Sequence, residues 1–154
     1  MNPTLTERHG MLVRADDPIL RKRARELTAS SRPHAVIATM REVLAALGGV
    51  GIAAPQLGVD WRLFILADDP EPFINPVIVA RSAETDVQDE GCLSLPGVIV
   101  PVRRNIQVAV ERKGRVVLLM GSDARIAQHE IDHLDGKLIT DYAMGVTPTP
   151  QDHP

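Results

Sequence analysis

Residues 129–133 read His-Glu-Ile-Asp-His, inside a segment, residues 122–135, whose pattern is helical. At about 100° per residue, Ala127, Ile131 and Leu134 share one face and His129 and His133 share nearly the opposite one. Ser122 or Asp123 is the expected N-cap, and Gly136 falls where a helix closes on a left-handed residue. Two imidazoles at i and i+4 rise from adjacent turns and can converge on one metal ion, with Glu130 near enough to handle the proton of a water. The H-E-x-x-H pattern thus points to hydrolysis. Its bland counterpart is a polar helix face carrying a surface glutamate and two solvated histidines.

Two imidazoles leave a metal short of ligands, and no H-x-x-G-x-x-H continuation follows His133. The chain has one cysteine, Cys92, in the run Glu90-Gly91-Cys92-Leu93-Ser94. Its thiolate would complete a His2Cys set, and Gly91 permits close backbone approach. Taken alone, an isolated cysteine is more commonly a small buried hydrophobe. A third segment, Gly49-Val50-Gly51-Ile52-Ala53-Ala54-Pro55-Gln56, offers room beside its glycines for a ligand backbone, and the Gln56 amide can donate to a developing oxyanion. A helix cap followed by a tight turn and a surface amide fits that segment equally well.

Outward from these segments, Val36, Ile37, Met40, Val43, Leu44 and Leu47 mark an amphipathic helix over residues 33–47, with Pro33 near its first turn and Gly48 past its end. Residues 18–27 carry a weaker helical pattern with a basic side. Short β-rich runs follow at 63–66, 73–79, 98–102, 106–111 and 116–120, parted by Pro, Asp and Gly. The last two form a hairpin across Arg112-Lys113-Gly114-Arg115. Helix, strands and helix in that order predict an α+β fold, with small mixed or antiparallel sheets around the H-E-x-x-H helix. Residues 1–144 are expected to form one catalytic domain, and the proline-rich residues 145–154 a disordered tail.

Composition narrows the function. Of 154 residues, 17 are Lys or Arg and 20 are Asp or Glu, for a formal charge of −3, and only four are aromatic. A chain with no basic field and few stacking surfaces is not expected to bind nucleic acid. No segment approaches the roughly 20 apolar residues of a membrane helix; residues 43–55, the most apolar, are broken by Gly48, Gly49, Gly51 and Pro55. No export signal is evident near the N-terminus, so a soluble cytoplasmic protein is expected.

The three segments, complete and in this order, resemble peptide deformylase, whose members carry G-φ-G-φ-A-A-x-Q, E-G-C-L-S and H-E-x-x-H. The resemblance extends to Asp17-Pro18-Ile19-Leu20, to Asn75-Pro76 and to His133-Leu134-Asp135-Gly136, so it covers nearly the whole chain to about residue 140. It implies one divalent metal held by Cys92, His129 and His133, usually Fe2+ in the family, with Zn2+, Ni2+ or Co2+ able to replace it. The implied substrate is a nascent chain beginning with N-formylmethionine, and the implied products are formate and a free amino terminus. Glu130 would take a proton from water and deliver it to the leaving amine, while the Gln56 amide and the Leu93 N–H would steady the oxyanion. Peptide backbone would lie along Gly49, Val50 and Gly51. Val50, Arg125 and Ile126 are expected walls of a methionine pocket. Glu90 is expected to orient a ligand histidine, to pair with Arg104, or to face solvent as an ordinary acid. Asp132 is expected in a salt bridge or on a solvated face.

Two departures from the family pattern stand out. Gly97, Val98 and Ile99 follow Pro96 where many members carry an arginine, and only 18 residues follow Gly136, too few for the long C-terminal helix of the common bacterial type. Transient ribosome association and a monomeric state are expected, but docking through such a helix is not. Two other functions compete: an H-E-x-x-H metallopeptidase taking its third ligand from an acid such as Asp141, and a noncatalytic deformylase-like protein that sequesters formylated peptides.

Overall fold

The computed structural model describes residues 11–144. Helix α1 spans His34–Leu47 and helix α2 spans Gly121–Leu134. Between them run three antiparallel sheets. Strands β1 (Gly51–Ala53), β2 (Leu63–Leu66) and β3 (Phe73–Ile74) form the first, in the order β1-β2-β3. Strand β4 (Val77–Arg81) belongs to the second, ordered β4-β7-β8 with β7 (Gln107–Arg112) and β8 (Arg115–Met120). Strands β5 (Thr85–Cys92) and β6 (Leu95–Asn105) make a long hairpin of their own. Helix α2 contacts strands of all three sheets, so the α+β class and the central position of the H-E-x-x-H helix follow directly. Among the described residues no helix is long and apolar enough to cross a membrane.

The core is built on both faces of β2, every residue of which is buried. Leu63 and Ile65 face α1, where they pack with Met40, Val43 and Leu44, the stripe its sequence period marks. Phe64 and Leu66 face α2 and join Ala124, Ala127, Ile131 and Leu134. Phe64 stands opposite Phe73 in the ladder, and their rings stack at 4.4 Å between centroids. The β7–β8 hairpin closes on Lys113 and Gly114 at φ 49° and 73°, the doubly positive turn that matches strand twist.

Several expectations are corrected. Residues 18–27 are helical only as a 3-10 turn at Pro18–Arg21, capped by the Asp17 carboxylate, which accepts from Ile19 N–H; an extended stretch follows, with Arg25 bridged to Trp61. The run 73–79 is two strands in different sheets, because Asn75 at φ 49° and Pro76 break it. The Asn75 side chain accepts from Leu27 N–H and donates to Leu27 O, anchoring that extended stretch. Helix α2 begins one residue before Ser122, with Met120 at the cap position and no side-chain capping bond, so neither Ser122 nor Asp123 caps it. Strands β1 and β5 lay outside the predicted runs, and β6 exceeds residues 98–102 at both ends. The expected tail, 145–154, lies outside the described residues, as does the start of the expected domain, 1–10.

Where α2 ends, Gly136 adopts φ 76° and a Cβ there would lie 2.7 Å from the Arg21 carbonyl. At Gly121, φ is 56° but nothing lies within 4 Å of a Cβ. Gly121→Ala should therefore cost about 1 kcal/mol from backbone conformation alone, and Gly136→Ala at least about twice that. Urea denaturation of both variants checks the difference.

Candidate metal centre

Cys92 ends β5, and Leu93 and Ser94 form the turn into β6. Opposite Gly91 the ladder loses register, and the extra residues of β6, around Gly97 at φ 76°, bulge outward as a rim. The hairpin tip meets α2 so that the ligand atoms of Cys92, His129 and His133 all lie within 4.8 Å of one another. Cys92 Sγ is 3.4 Å from His133 Nε2. Tetrahedral ligation at about 2.3 Å for sulfur and about 2.0 Å for imidazole nitrogen sets S···N separations near 3.5 Å, so the donors fit a divalent cation.

The solvated-face account of α2 fails. His133 is 2 % exposed, and Glu130 is also buried, with Oε2 lacking any protein partner. Asp141, the alternative third ligand, is engaged elsewhere, accepting from Arg21 and from Leu138 N–H. Gln56 is no surface amide: its Oε1 accepts from Ala53 N–H, and its Nε2 donates to Ser94 Oγ at 3.0 Å and points at Cys92 Sγ from 3.7 Å.

A buried charged network holds the site together. Glu90 Oε1 lies 2.9 Å from His129 Nδ1, fixing the ring so that Nε2 remains for a metal. Arg104 grips Glu90 through two hydrogen bonds and reaches Asp132 at 2.6 Å, while Tyr142 donates to the same Asp132 oxygen. Glu90 thus both orients a histidine and pairs with Arg104, and Asp132 is a buried salt-bridge partner. Arg125, expected at a pocket wall, instead donates to Glu90, Asp86 and the Val102 carbonyl. The sequence marks Arg125 only as a pocket wall and Ser94 only within the Glu90–Ser94 run, and does not single out Tyr142; the positioning roles of all three depend on partners distant in sequence.

Electrostatics follow from this packing. Burial alone would raise Glu90, but its hydrogen bonds with His129 and Arg104 hold it at about 2. Burial, with the Glu90 and Asp132 charges adding, lifts Glu130 to about 7. His129 resists the effect of burial through hydrogen bonds with Cys92 and Glu90 and rises to about 10, whereas burial and the neighbouring His129 charge press His133 down to about 3.

The glycines act differently from expectation. A Cβ on Gly49 would meet Leu44 and Leu93 at 2.7 and 2.9 Å, and one on Gly51 would meet Ile126 and the Glu130 carboxylate at 2.6 and 2.7 Å. Their missing side chains make room for the protein's own core and for Glu130. Gly49, Val50 and Gly51 still line one side of a cleft completed by Gln56, Cys92 and the β6 rim, with Val50 and Ile99 exposed at its mouth.

A buried H-E-x-x-H helix, a cysteine ligand from a hairpin tip and an amide beside it define a metal-dependent hydrolase of α+β architecture. A family model for polypeptide deformylase matches residues 10–148, and the chain belongs to that family. It is 41 % identical over 133 residues to the peptide deformylase of Thermotoga petrophila, covering 81 % of both chains. To that of Desulforudis audaxviator it is 39 % identical over 141 residues, covering 86 % of this chain and 92 % of the relative. Among solved structures, the Thermotoga maritima enzyme superposes with a TM-score of 0.77 at 39 % identity, over 84 % of this chain and 94 % of that one. An actinonin-bound class I type b deformylase of Acinetobacter baumannii gives 0.78 at 33 %, over 85 % and 95 %. Membership of the family implies a divalent metal ion at this site.

Removing Arg104 would take two hydrogen bonds from Glu90, leaving it to Arg125 and His129, and a buried ion pair from Asp132. Arg104→Met should lose about 3–5 kcal/mol in chemical denaturation and weaken metal retention, since Glu90, the partner that orients His129, is then less firmly fixed.

Proposed function

We propose that the chain removes the N-formyl group from the N-terminal formylmethionine of newly synthesised proteins, releasing formate, on one catalytic domain spanning residues 1–144. The observation that carries this is the convergence of Cys92, His129 and His133 beside a buried Glu130 carboxylate oxygen that no protein group satisfies. Cys92, His129 and His133 would hold the divalent ion, which would supply Lewis acidity to the formyl oxygen and lower the pKa of water in the site. The resemblance supports Fe2+ as the working ion, and the mixed sulfur and imidazole donors also suit Zn2+, Ni2+ or Co2+.

Glu130 accepts the proton of the attacking water and returns it to the departing amine, so one carboxylate serves both halves of the reaction. The Gln56 amide, held by Ala53 and Ser94, and the Leu93 N–H donate to the oxygen on which charge gathers. Strand β1 lies at the edge of its sheet beside Gly49, Val50 and Gly51, and an extended peptide can lie along this segment, its main chain supplying affinity without demanding particular side chains. Such breadth suits a substrate defined only by its formylated end. The protein acts in the cytoplasm as a monomer, meeting chains as they emerge in transient association with the ribosome, with no nucleic-acid or membrane ligand of its own.

Anaerobically purified protein should release formate from a formyl-Met-Ala peptide, with one equivalent of metal by elemental analysis. Glu130→Ala should keep that metal while losing about 10²- to 10⁴-fold in turnover. Cys92→Ser should lose most of the metal; full occupancy without the thiolate would refute the ligand assignment.

A further inference from the structure

A cavity of about 100 Å3 opens between β4 and α2, and none of Cys92, His129, Glu130 and His133 lines it. Four arginines do: Arg23, Arg62, Arg81 and Arg104. Three of the four are already matched by carboxylates. Arg23 and Arg62 share Asp135 at 3.0 and 2.9 Å, and Arg104 is bound by Glu90 and Asp132. These pairs also account for the two aspartates of the cavity wall, since Asp132 takes a further hydrogen bond from Tyr142.

Arg81 is the exception. It ends β4 partly buried, and among the described residues no hydrogen bond or ion pair engages its guanidinium. Burial lowers its pKa, and the charges of Asp132 and Asp135 only partly oppose this from a distance. Glu26 at the cavity rim is exposed and makes no ion pair with it. A planar fork of donors lining a small polar cavity, with both aspartates of its wall satisfied by other cations and Glu26 exposed at the rim, matches the two-point recognition arginine gives to oxyanions.

We propose that this cavity binds a small inorganic oxyanion of the phosphate or sulfate class through Arg81. A volume of about 100 Å3 is on the scale of one such tetrahedral ion. The site is separate from the metal centre but shares Arg104 with the network that holds Glu90.

The test uses metal-loaded protein and follows arginine Nε–Hε resonances by NMR during titration with phosphate or with sulfate, against chloride at matched ionic strength. The expected result is a saturable shift of the Arg81 resonance in the millimolar range with phosphate and with sulfate, and none with chloride. Arg81→Met should abolish saturation, and Arg81→Lys, which keeps the charge but not the fork, should weaken it at least about tenfold. Removing the rim charge with Glu26→Gln should tighten binding severalfold. Formate release and metal content should be unchanged in Arg81→Met, which separates this site from an anion bound at the metal. No saturable shift, or one that persists in Arg81→Met, would overturn the proposal.

Discussion

Arg104 is the constraint on which the rest of the site depends. Its guanidinium, 3 % exposed, binds Glu90 on the hairpin and Asp132 on α2 at the same time. Withdrawing three charges from water costs several kcal/mol per ion, and that cost is offset only where every donor and acceptor is met. Here the requirement is close to fulfilled: Arg125 and His129 take up the remaining capacity of Glu90, and Tyr142 adds both a hydrogen bond to Asp132 and its ring, 5.0 Å from the Arg104 guanidinium carbon. The hairpin cannot slide along α2 without stranding one of these charges. Gln128 reinforces the same register, accepting from Asn105 N–H and donating to Asn105 O. Cys92 and the two histidines, separated widely in sequence, are thus held at ligand distance by this buried network.

Much of this architecture is readable from the residues. The apolar period of α1 and the Lys113-Gly114 turn announce themselves because local geometry alone dictates them. Strand β5 does not, since Thr-Asp-Val-Gln-Asp-Glu-Gly-Cys buries the charged Glu90 on one face and exposes Val87, its only aliphatic residue, on the other, so no apolar alternation marks it. Strand β1 has three residues, too few for any period. The Asn75-Pro76 pair is a local turn signal, but the hydrogen bonds that anchor the break reach Leu27, 48 residues away, which no local pattern contains. Helix α2 shows the converse difficulty. Its polar face looks solvated by composition, and only the hairpin covering it turns that face into an interior.

The site residues divide along the same line. That Cys92, His129 and His133 converge, with Glu130 and Gln56 beside them, is legible because metal and proton chemistry restrict which residue types serve at which spacings. The residues that hold them are not. Arg125 looks like an exposed helix residue until the hairpin supplies Glu90, Asp86 and the Val102 carbonyl as its partners. The glycines of the 49–51 segment were legible as close approaches, and Leu93, Leu44, Ile126 and Glu130 are the protein groups that approach them.

The two glutamates nearest His129 show how the fold separates roles that residue type cannot. Both are buried, and burial pushes both toward the neutral acid. Glu90 stays charged at about 2 because Arg104, Arg125 and His129 surround its oxygens with donors. Glu130 has no donor at Oε2 and rises to about 7, where gaining and losing a proton cost little near neutrality. A permanently ionised carboxylate is suited to fixing an imidazole, and a carboxylate balanced near neutrality is suited to carrying a proton between water and amine. The orienting position of Glu90 and the proton-carrying role proposed for Glu130 are thus both set by the count of donors each oxygen meets.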